Sequence, residues 1–100
     1  MKILLLEDEV MLNESIMEYL ESQGHIVDIY FDGLEAYEAI KNNSYDFFIL
    51  DINVPGMDGL TFLEKTGTYP TDIIVVIILK YPGTFKDGNV RGIYLQPIIN

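Results

Sequence analysis

The sequence of 100 residues contains no cysteine. Disulfide scaffolds, zinc–thiolate sites and thiol nucleophiles are therefore excluded as the chemistry of this chain. Histidine is almost as scarce, because His25 is the only one and it lies between Gly24 and Ile26, without an acidic or nucleophilic neighbour. Catalysis by histidine consequently has no candidate pair of residues.

Basic residues are also few. Six Lys and Arg residues against 16 Asp and Glu residues give a formal net charge of −10. Proteins bind the phosphates of nucleic acids with clusters of Lys and Arg, and the basic residues of this chain are scattered. We therefore expect no direct nucleic-acid binding by these residues.

Long apolar runs are missing as well. The longest, Ile73 to Leu79, has seven residues, whereas a membrane-spanning helix needs about 20. The N-terminal run Ile3–Leu6 stops at Glu7, which makes it too short for the apolar part of a signal peptide. We expect a cytoplasmic protein without membrane contact.

The sequence does contain a high proportion of hydrophobic residues, 49%, which is too many for a disordered chain. Its length suits one domain, and we predict a single domain over residues 1–100. Short apolar runs alternate with stretches of helical periodicity. The runs predicted as strands are Ile3–Leu6, His25–Tyr30, Phe47–Leu50, Ile73–Leu79 and Ile93–Leu95. The stretches predicted as helices are Val10–Ser22, Leu34–Lys41 and Gly59–Lys65.

Strands that alternate with helices predict an α/β fold with a doubly wound, parallel, five-stranded sheet and right-handed crossovers. In the first helix, Leu12, Ile16, Tyr19 and Leu20 are expected on the face that packs against the sheet. In open sheets of this kind the chemistry lies at the carboxyl ends of the strands. The residues at those ends are therefore the candidates for function.

Acidic residues stand at two of these strand ends. Glu7 and Asp8 follow the first predicted strand, and Asp51 follows the third. The first and third strands are neighbours in a doubly wound sheet, so these carboxylates are expected around one crevice. Carboxylates held close together repel each other, and a hard cation such as Mg²⁺ relieves that repulsion.

A simpler interpretation applies to the first group of acids. Glu7, Asp8 and Glu9 precede a predicted helix, where the helix dipole favours negative charge. That interpretation does not extend to Asp51, which directly follows four apolar residues of a buried strand. A carboxylate in that position costs desolvation free energy unless it has a partner or a function.

Two motifs carry a resemblance to a known family. The sequence ILLLEDE occupies residues 3–9, and YDFFILDINVPGMDG occupies residues 45–59. Together they resemble the receiver domain of two-component response regulators: an acidic pair follows the first strand, and Pro55 follows Asp51 by four residues. The resemblance is close over residues 1–65 and weaker over residues 66–100. The fold that it implies is flavodoxin-like, with strand order 2-1-3-4-5.

The resemblance also implies roles for individual residues. Asp51 matches the phosphoacceptor, Glu7 and Asp8 match the acidic pair that binds Mg²⁺, and Asn53 matches the position whose backbone carbonyl completes the metal site. The implied reaction is phosphoryl transfer from a phosphohistidine of a sensor histidine kinase to Asp51. Such a domain catalyses its own phosphorylation and dephosphorylation but is not a conventional turnover enzyme.

The second half of the chain departs from the family pattern at two site positions. The family has Thr or Ser at the end of the fourth strand, where this chain has Leu79 and Lys80. The family has Lys-Pro after the fifth strand, where this chain has Gln96 before Pro97. Lys80 is a candidate substitute for the missing Lys. The simpler interpretation is that Lys80 is a solvent-exposed lysine in a loop.

The helices of the second half differ too. Glycines and a proline in residues 81–90 predict that the fourth helix is lost or irregular, and the fifth helix is expected to be absent. A parallel sheet needs cover on both faces, so we expect a homodimer or a swapped oligomer. The alternatives are a fragment of a longer regulator, or a segment 66–100 that does not represent the family's natural sequence.

Two functions therefore compete. The first is a phosphorylation-dependent receiver domain with Mg²⁺ held by Glu7, Asp8, Asp51 and Asn53, in a parent chain that regulates transcription. The second is a pseudo-receiver, a protein-interaction module that acts independently of phosphorylation. The acidic residues favour the first, and the missing hydroxyl and Lys favour the second.

Overall fold

The computed structural model describes residues 1–65, 74–80 and 90–97. Strands and helices alternate through the first half because apolar runs are separated by amphipathic stretches. The strands are β1 (Lys2–Leu6), β2 (Ile26–Tyr30), β3 (Phe47–Asp51), β4 (Ile74–Lys80) and β5 (Val90–Pro97). The helices are α1 (Val10–Ser22), α2 (Gly33–Ile40) and α3 (Gly59–Lys65). Each predicted helix in residues 1–65 is present with its bounds within one residue of the prediction.

One sheet contains the strands in the order β2-β1-β3-β4-β5. The pairs β1–β2, β1–β3 and β3–β4 are parallel, as predicted. Strand β1 lies between β2 and β3, and its apolar residues from Ile3 to Leu6 are all buried, because helices cover both faces of the sheet there. In register, Leu6 lies beside Leu50, and Asp51 lies beside Ile78. The carboxyl ends of β1 and β3 therefore meet at one edge.

Strand β5 corrects the prediction of an entirely parallel sheet. It runs antiparallel to β4, with Ile74 paired with Pro97 and Ile78 paired with Ile93. Only residues 81–89 connect the two strands, and a parallel crossover needs a dozen or more residues, usually with a helix. The connection is too short for that crossover. The predicted loss of the fourth helix and absence of the fifth fall on residues outside the described parts.

Alternating residues of β1 and β3 supply the core on the two faces of the sheet. One cluster lies under α2 and α3, and its fully buried members are Leu4, Leu6, Ala36, Phe48 and Phe62. The other lies under α1 and contains Ile3, Leu5 and Ile49. Burial of each large apolar side chain contributes about 1.5–3 kcal/mol to folding, so the two clusters fix the strands that carry the acidic residues.

Helix α1 packs with a face that matches the prediction in part, because Ile16 and Leu20 lie inward as expected. Tyr19 was expected to point inward, but 65% of its surface is exposed. The inward positions are Asn13, Ile16, Met17 and Leu20, which follow the helical spacing i, i+3, i+4 and i+7. Because the first of these positions is the polar residue Asn13, a search for apolar residues alone did not include it.

The turn before β3 is held by Tyr45. Its hydroxyl donates a hydrogen bond to Asp28 Oδ2 at 2.6 Å, and its ring lies 6.3 Å from that of Phe48. The Lys2 ammonium lies 5.1 Å from the centre of the Tyr45 ring. Burial, and then the hydrogen bond to Asp28, raise the pKa of the Tyr45 phenol well above its ordinary value. These contacts of Tyr45 hold the chain in place just before β3 begins at Phe47.

None of the helices in the described part of the chain has the length and apolar content that a membrane span requires.

Candidate functional site

Three carboxylates meet at the edge where β1 and β3 end. Glu7 and Asp8 directly follow β1, and Asp51 is the last residue of β3. Because Leu6 and Leu50 are register partners, Glu7 and Asp51 continue two neighbouring strands at the same level. One ligand oxygen from each of the three side chains lies within 4.8 Å of the other two. The structure therefore brings the three predicted carboxylates together.

The three carboxylates differ in burial. Glu7 is fully buried and Asp51 is 2% exposed, whereas Asp8 is exposed. Two carboxylates in a low-dielectric environment carry a high desolvation cost, and the exposed third one opens the cluster to solvent. The cluster therefore combines two buried carboxylates with one that solvent reaches.

Backbone amides hold the buried carboxylates in place. Glu9 N donates to Glu7 Oε2 at 2.7 Å, and Asn53 N donates to Asp51 Oδ1 at 3.1 Å. Each bond spans two residues, so the chain just beyond each strand turns back toward the carboxylate. Asn53, whose backbone carbonyl the family resemblance implies as part of a metal site, lies on this turn beside Asp51.

The loop over residues 52–58 is closed by one backbone hydrogen bond between its ends and attached to α2 by a second one at its middle. Gly59 N donates to Ile52 O at 2.8 Å, and Gly33 N donates to Pro55 O at 3.0 Å. Both glycines are needed for close approach. A Cβ at Gly59 would lie 2.6 Å from Asp51 O, and a Cβ at Gly33 would overlap the carbonyl oxygen of Met57. The loop therefore sits tightly between α2 and the end of β3.

The interpretation of the first acids as helix-dipole residues is not sufficient. Helix α1 begins at Val10 with Glu9 as its N-cap. Glu7 lies three residues before that helix, and its carboxylate is buried beside Asp51 instead of exposed at the helix terminus. Glu7 lies there because it directly follows β1, whose carboxyl end is beside that of β3.

Asn13 is a residue of this region that the sequence prediction missed. It is fully buried on α1, and its Nδ2 donates to Glu7 O at 2.9 Å and to Tyr30 O at 3.3 Å. The signal in the sequence was its spacing from Ile16, Met17 and Leu20, which places position 13 on the inward face.

Lys80, the candidate substitute for the family's Lys, and Gln96, which stands in the place of that Lys, lie toward different ends of the sheet. Lys80 is the last residue of β4, two residues beyond Ile78, the register partner of Asp51. Gln96 pairs with Val75, near the start of β4, because β5 runs antiparallel. At about 3.3 Å per residue, Gln96 is displaced by three positions, or about 10 Å along the sheet, from the level of Asp51.

The donor set fits a hard divalent cation. All three side chains offer carboxylate oxygens, which Mg²⁺ prefers, and these oxygens lie within 4.8 Å of one another, a spacing that suits one ion held partly through water. Mg²⁺ retains several waters and binds through a few carboxylates together with phosphate oxygens, which agrees with one open side at Asp8. A cation would also offset the mutual repulsion of the three negative charges.

Comparison with known families gives one match that covers most of the chain. Residues 3–83 match the response regulator receiver domain.

Individual relatives are similar over most of this chain. The transcriptional regulatory protein CrdR of Helicobacter pylori is 35% identical over 90 residues, which are 87% of this chain and 42% of that protein. The probable transcriptional regulator ycf29 of Porphyra purpurea is 41% identical over 91 residues, which are 90% of this chain and 43% of that protein. The chain thus spans less than half the length of these curated relatives.

Solved structures show the same fold. The response regulator TrrA of Thermotoga maritima, solved in complex with Mg²⁺-BeF, superposes with a TM-score of 0.68 and 31% identity, covering 74% of this chain and 64% of that one. The receiver domain of the hybrid histidine kinase CckA superposes with a TM-score of 0.73 and 32% identity, covering 78% and 74% of the two chains.

Proposed function

This chain belongs to the response regulator receiver domain family of two-component systems, and from that premise we propose that it accepts a phosphoryl group on Asp51. The observation that carries the proposal is the approach of three carboxylate oxygens from β1 and β3 to within 4.8 Å. Two of the three carboxylates are buried, which is costly unless a cation and a reaction use them.

The proposed reaction is transfer from a phosphohistidine of a sensor histidine kinase. A carboxylate oxygen of Asp51 forms a bond to phosphorus while the bond from phosphorus to the histidine nitrogen breaks. The imidazole leaves with the electron pair and takes up a proton. Water later attacks the acyl phosphate at phosphorus, which releases inorganic phosphate, returns the Asp51 carboxylate and gives a proton to solvent.

The residues around Asp51 prepare this reaction by position and charge. The amide of Asn53 fixes the rotation of the Asp51 carboxylate through Oδ1, so its attack direction is set before a donor arrives. Glu7, Asp8 and Asp51, with the backbone carbonyl of Asn53, are the groups that would hold Mg²⁺. When bound, Mg²⁺ supplies charge neutralisation for the transferring phosphoryl group and helps align it.

The test is incubation of the chain with acetyl phosphate and Mg²⁺, followed by intact-protein mass spectrometry. We expect one added phosphoryl mass, lost in Asp51→Asn and after chelation of Mg²⁺. Asp46→Asn is the matched control, because Asp46 is exposed and lies before β3, where it accepts a hydrogen bond from Lys2 N. An adduct that persists in Asp51→Asn contradicts the proposal.

Lys80 is proposed as a substitute for the Lys of the family. Its backbone lies at the carboxyl end of β4, the same end of the sheet as Asp51. Lys80→Ala should slow phosphorylation by acetyl phosphate, and Lys41→Ala, at the residue that caps the C-terminus of α2, serves as the control. An unchanged rate in Lys80→Ala excludes the substitution.

A pseudo-receiver is the second candidate function. It is favoured by the displacement of Gln96 to the other end of the sheet and by Leu79 and Lys80 in the place of a hydroxyl residue. Hydrogen exchange before and after phosphorylation separates the two. A switching receiver changes its protection around β4 on phosphorylation, whereas a pseudo-receiver forms no adduct or forms one without such a change.

The partners follow from the same proposal. A sensor histidine kinase supplies the phosphoryl group in the cytoplasm, and a further domain in the parent protein regulates transcription, since relatives such as CrdR are transcriptional regulators more than twice the length of the match. A homodimer or swapped oligomer, without membrane or direct nucleic-acid contact, remains a prediction. Sedimentation with and without phosphorylation measures the oligomeric state.

A further inference from the structure

Asn13 is a buried amide that the proposed reaction does not use directly. It lies in the first half of α1 and none of its surface is exposed. The inward neighbours on the same helix face are apolar, namely Ile16, Met17 and Leu20. Burial of an amide is unfavourable unless its hydrogen bonds are made. Packing alone therefore does not explain why an amide occupies this position.

The orientation of this amide is determined by its partners. Nδ2 lies 2.9 Å from Glu7 O and 3.3 Å from Tyr30 O, and carbonyl oxygens accept but never donate. The NH₂ group must face them, and both of its hydrogens are used. Oδ1 has no hydrogen-bond partner within the described residues. Such an oxygen costs about 1–3 kcal/mol, so residue 13 is not optimised for stability alone.

The bonds of Asn13 converge on the backbone of Glu7. Glu7 O accepts from Asn13, and Glu7 N donates to Tyr30 O at 3.0 Å. Asn13 also donates to that same Tyr30 oxygen. The main chain of Glu7 is thus tied to α1 on one side and to the end of β2 on the other.

Fixing this backbone fixes the carboxylate. The Glu7 side chain accepts from Glu9 N at 2.7 Å and reaches to within 4.8 Å of Asp8 and Asp51. Rotation of the Glu7 backbone would move its carboxylate away from that cluster. Groups that hold metal ligands in orientation raise affinity by limiting such motion.

We propose that Asn13 is a positioning residue for the metal site, acting through the Glu7 backbone; this rests on the proposed function of the acidic cluster. Asn13 contacts no metal ligand atom itself. It holds the end of β1 in the geometry in which the three carboxylates converge. Its removal therefore lowers Mg²⁺ affinity by more than any loss of stability explains.

The experiment measures the stability and the Mg²⁺ affinity of variants of the 100-residue chain. Asn13→Leu removes both N–H donors at similar volume, and Asn13→Ala is the milder variant if the first fails to fold. Ile16→Ala is the control, since Ile16 lies on the same face of α1 but packs against Ile3, Leu5 and Ile49. Unfolding by urea gives stability, and isothermal titration calorimetry with Mg²⁺ alone gives affinity at a temperature where all variants are folded.

We expect Mg²⁺ affinity to fall about tenfold or more in the Asn13 variants and to stay within about twofold of the wild type in Ile16→Ala. Equal affinity in the Asn13 and Ile16 variants overturns the positioning role while leaving the proposed function in place. Absence of Mg²⁺ binding by the wild-type chain overturns the proposed function, and the positioning role with it.

Discussion

At the level of single residues, the main feature of this chain is a pair of buried carboxylates at one end of the sheet. Glu7 and Asp51 are almost inaccessible to solvent, while Asp8 beside them is exposed. Like charges in a buried cluster destabilise the folded state, and any cation that binds only the folded state restores stability by mass action. The apo protein is therefore expected to gain stability on addition of Mg²⁺.

Replacement of Asp8 tests this balance without disturbing the core. Asp8→Asn keeps the shape but removes one of three negative charges, so Mg²⁺ affinity should fall at least tenfold while the melting temperature without Mg²⁺ stays level or rises. Titration of Mg²⁺ followed by thermal unfolding measures both quantities.

The matched control for Asp8 is its neighbour. Glu9→Gln removes an exposed negative charge one residue away, and the Glu9 side chain is not part of the cluster of three. Its Mg²⁺ affinity should change by less than twofold. If both variants lose affinity equally, general surface charge rather than the cluster attracts the cation.

The Tyr45 phenol gives a pH-dependent contribution to stability. Its pKa is raised in the folded state by burial and by the hydrogen bond to Asp28, so the folded chain keeps this proton where the unfolded chain releases it. The contribution is complete below about pH 10 and declines as pH rises above that value.

Tyr45→Phe should therefore cost about 1–2 kcal/mol of unfolding free energy at pH 7, because the bond to Asp28 is lost. Its stability should then fall less steeply than that of the wild type above about pH 10. Urea unfolding at several pH values measures the difference, and the other tyrosines are common to both proteins. Parallel pH profiles contradict the assignment.

At the scale of elements, the loop over residues 52–58 is the part of the site that depends on close backbone contact. It carries Asn53 and is clamped between Gly33 on α2 and Gly59 on α3. The motif in the sequence predicted a loop here, but the contact between Gly33 and Met57 joins two segments that are distant in sequence, and only the folded chain brings them together.

Gly33→Ala should destabilise the protein by about 1–3 kcal/mol, because its Cβ would overlap the Met57 carbonyl oxygen. Displacement of the loop should also weaken Mg²⁺ binding. Gly24→Ala is the control: nothing lies within 4 Å of its Cβ, but its φ of +91° strains an alanine. Gly24→Ala should lose stability and keep its Mg²⁺ affinity, as urea unfolding and calorimetry can show.

The packing of α1 shows why one residue predicted to face inward was wrong. An apolar criterion selected Tyr19, which is exposed, and passed over Asn13, which is buried. The spacing of Ile16, Met17 and Leu20 pointed to the correct face. A polar side chain can occupy the inward face when it donates hydrogen bonds to buried carbonyl oxygens. Asn13 does so with the carbonyls of Glu7 and Tyr30.

At the scale of the whole molecule, the direction of β5 distinguishes this chain from the predicted parallel sheet. Nine residues between Lys80 and Val90 suit a return connection, and the register pairs Val76 with Leu95. The consequence for function is that Gln96 lies toward the start of β4, away from the acidic edge.

Cysteine pairs test the direction of β5 cleanly, because the chain has no cysteine of its own. Val76→Cys with Leu95→Cys should form a disulfide on mild oxidation, since paired antiparallel residues lie within about 4.5–5.5 Å between Cα atoms. Mass spectrometry under non-reducing conditions detects the bond.

The reverse arrangement is tested by Lys80→Cys with Gln96→Cys. The register separates these positions by five residues along β4, or about 17 Å, so no disulfide should form. A bond in this pair, and none between positions 76 and 95, would establish a parallel β5.

Sequence patterns predicted the strands and helices of residues 1–65, the parallel pairing of β1 with its neighbours and the approach of the acidic residues to one another. Apolar runs and helical spacing are local signals, and the carboxyl ends of neighbouring parallel strands must meet. Only the folded chain shows the direction of β5, the burial of Asn13 on α1, and the contacts that Asn13 and Gly33 make. These depend on connection length and on hydrogen bonds between distant segments, which local patterns do not encode.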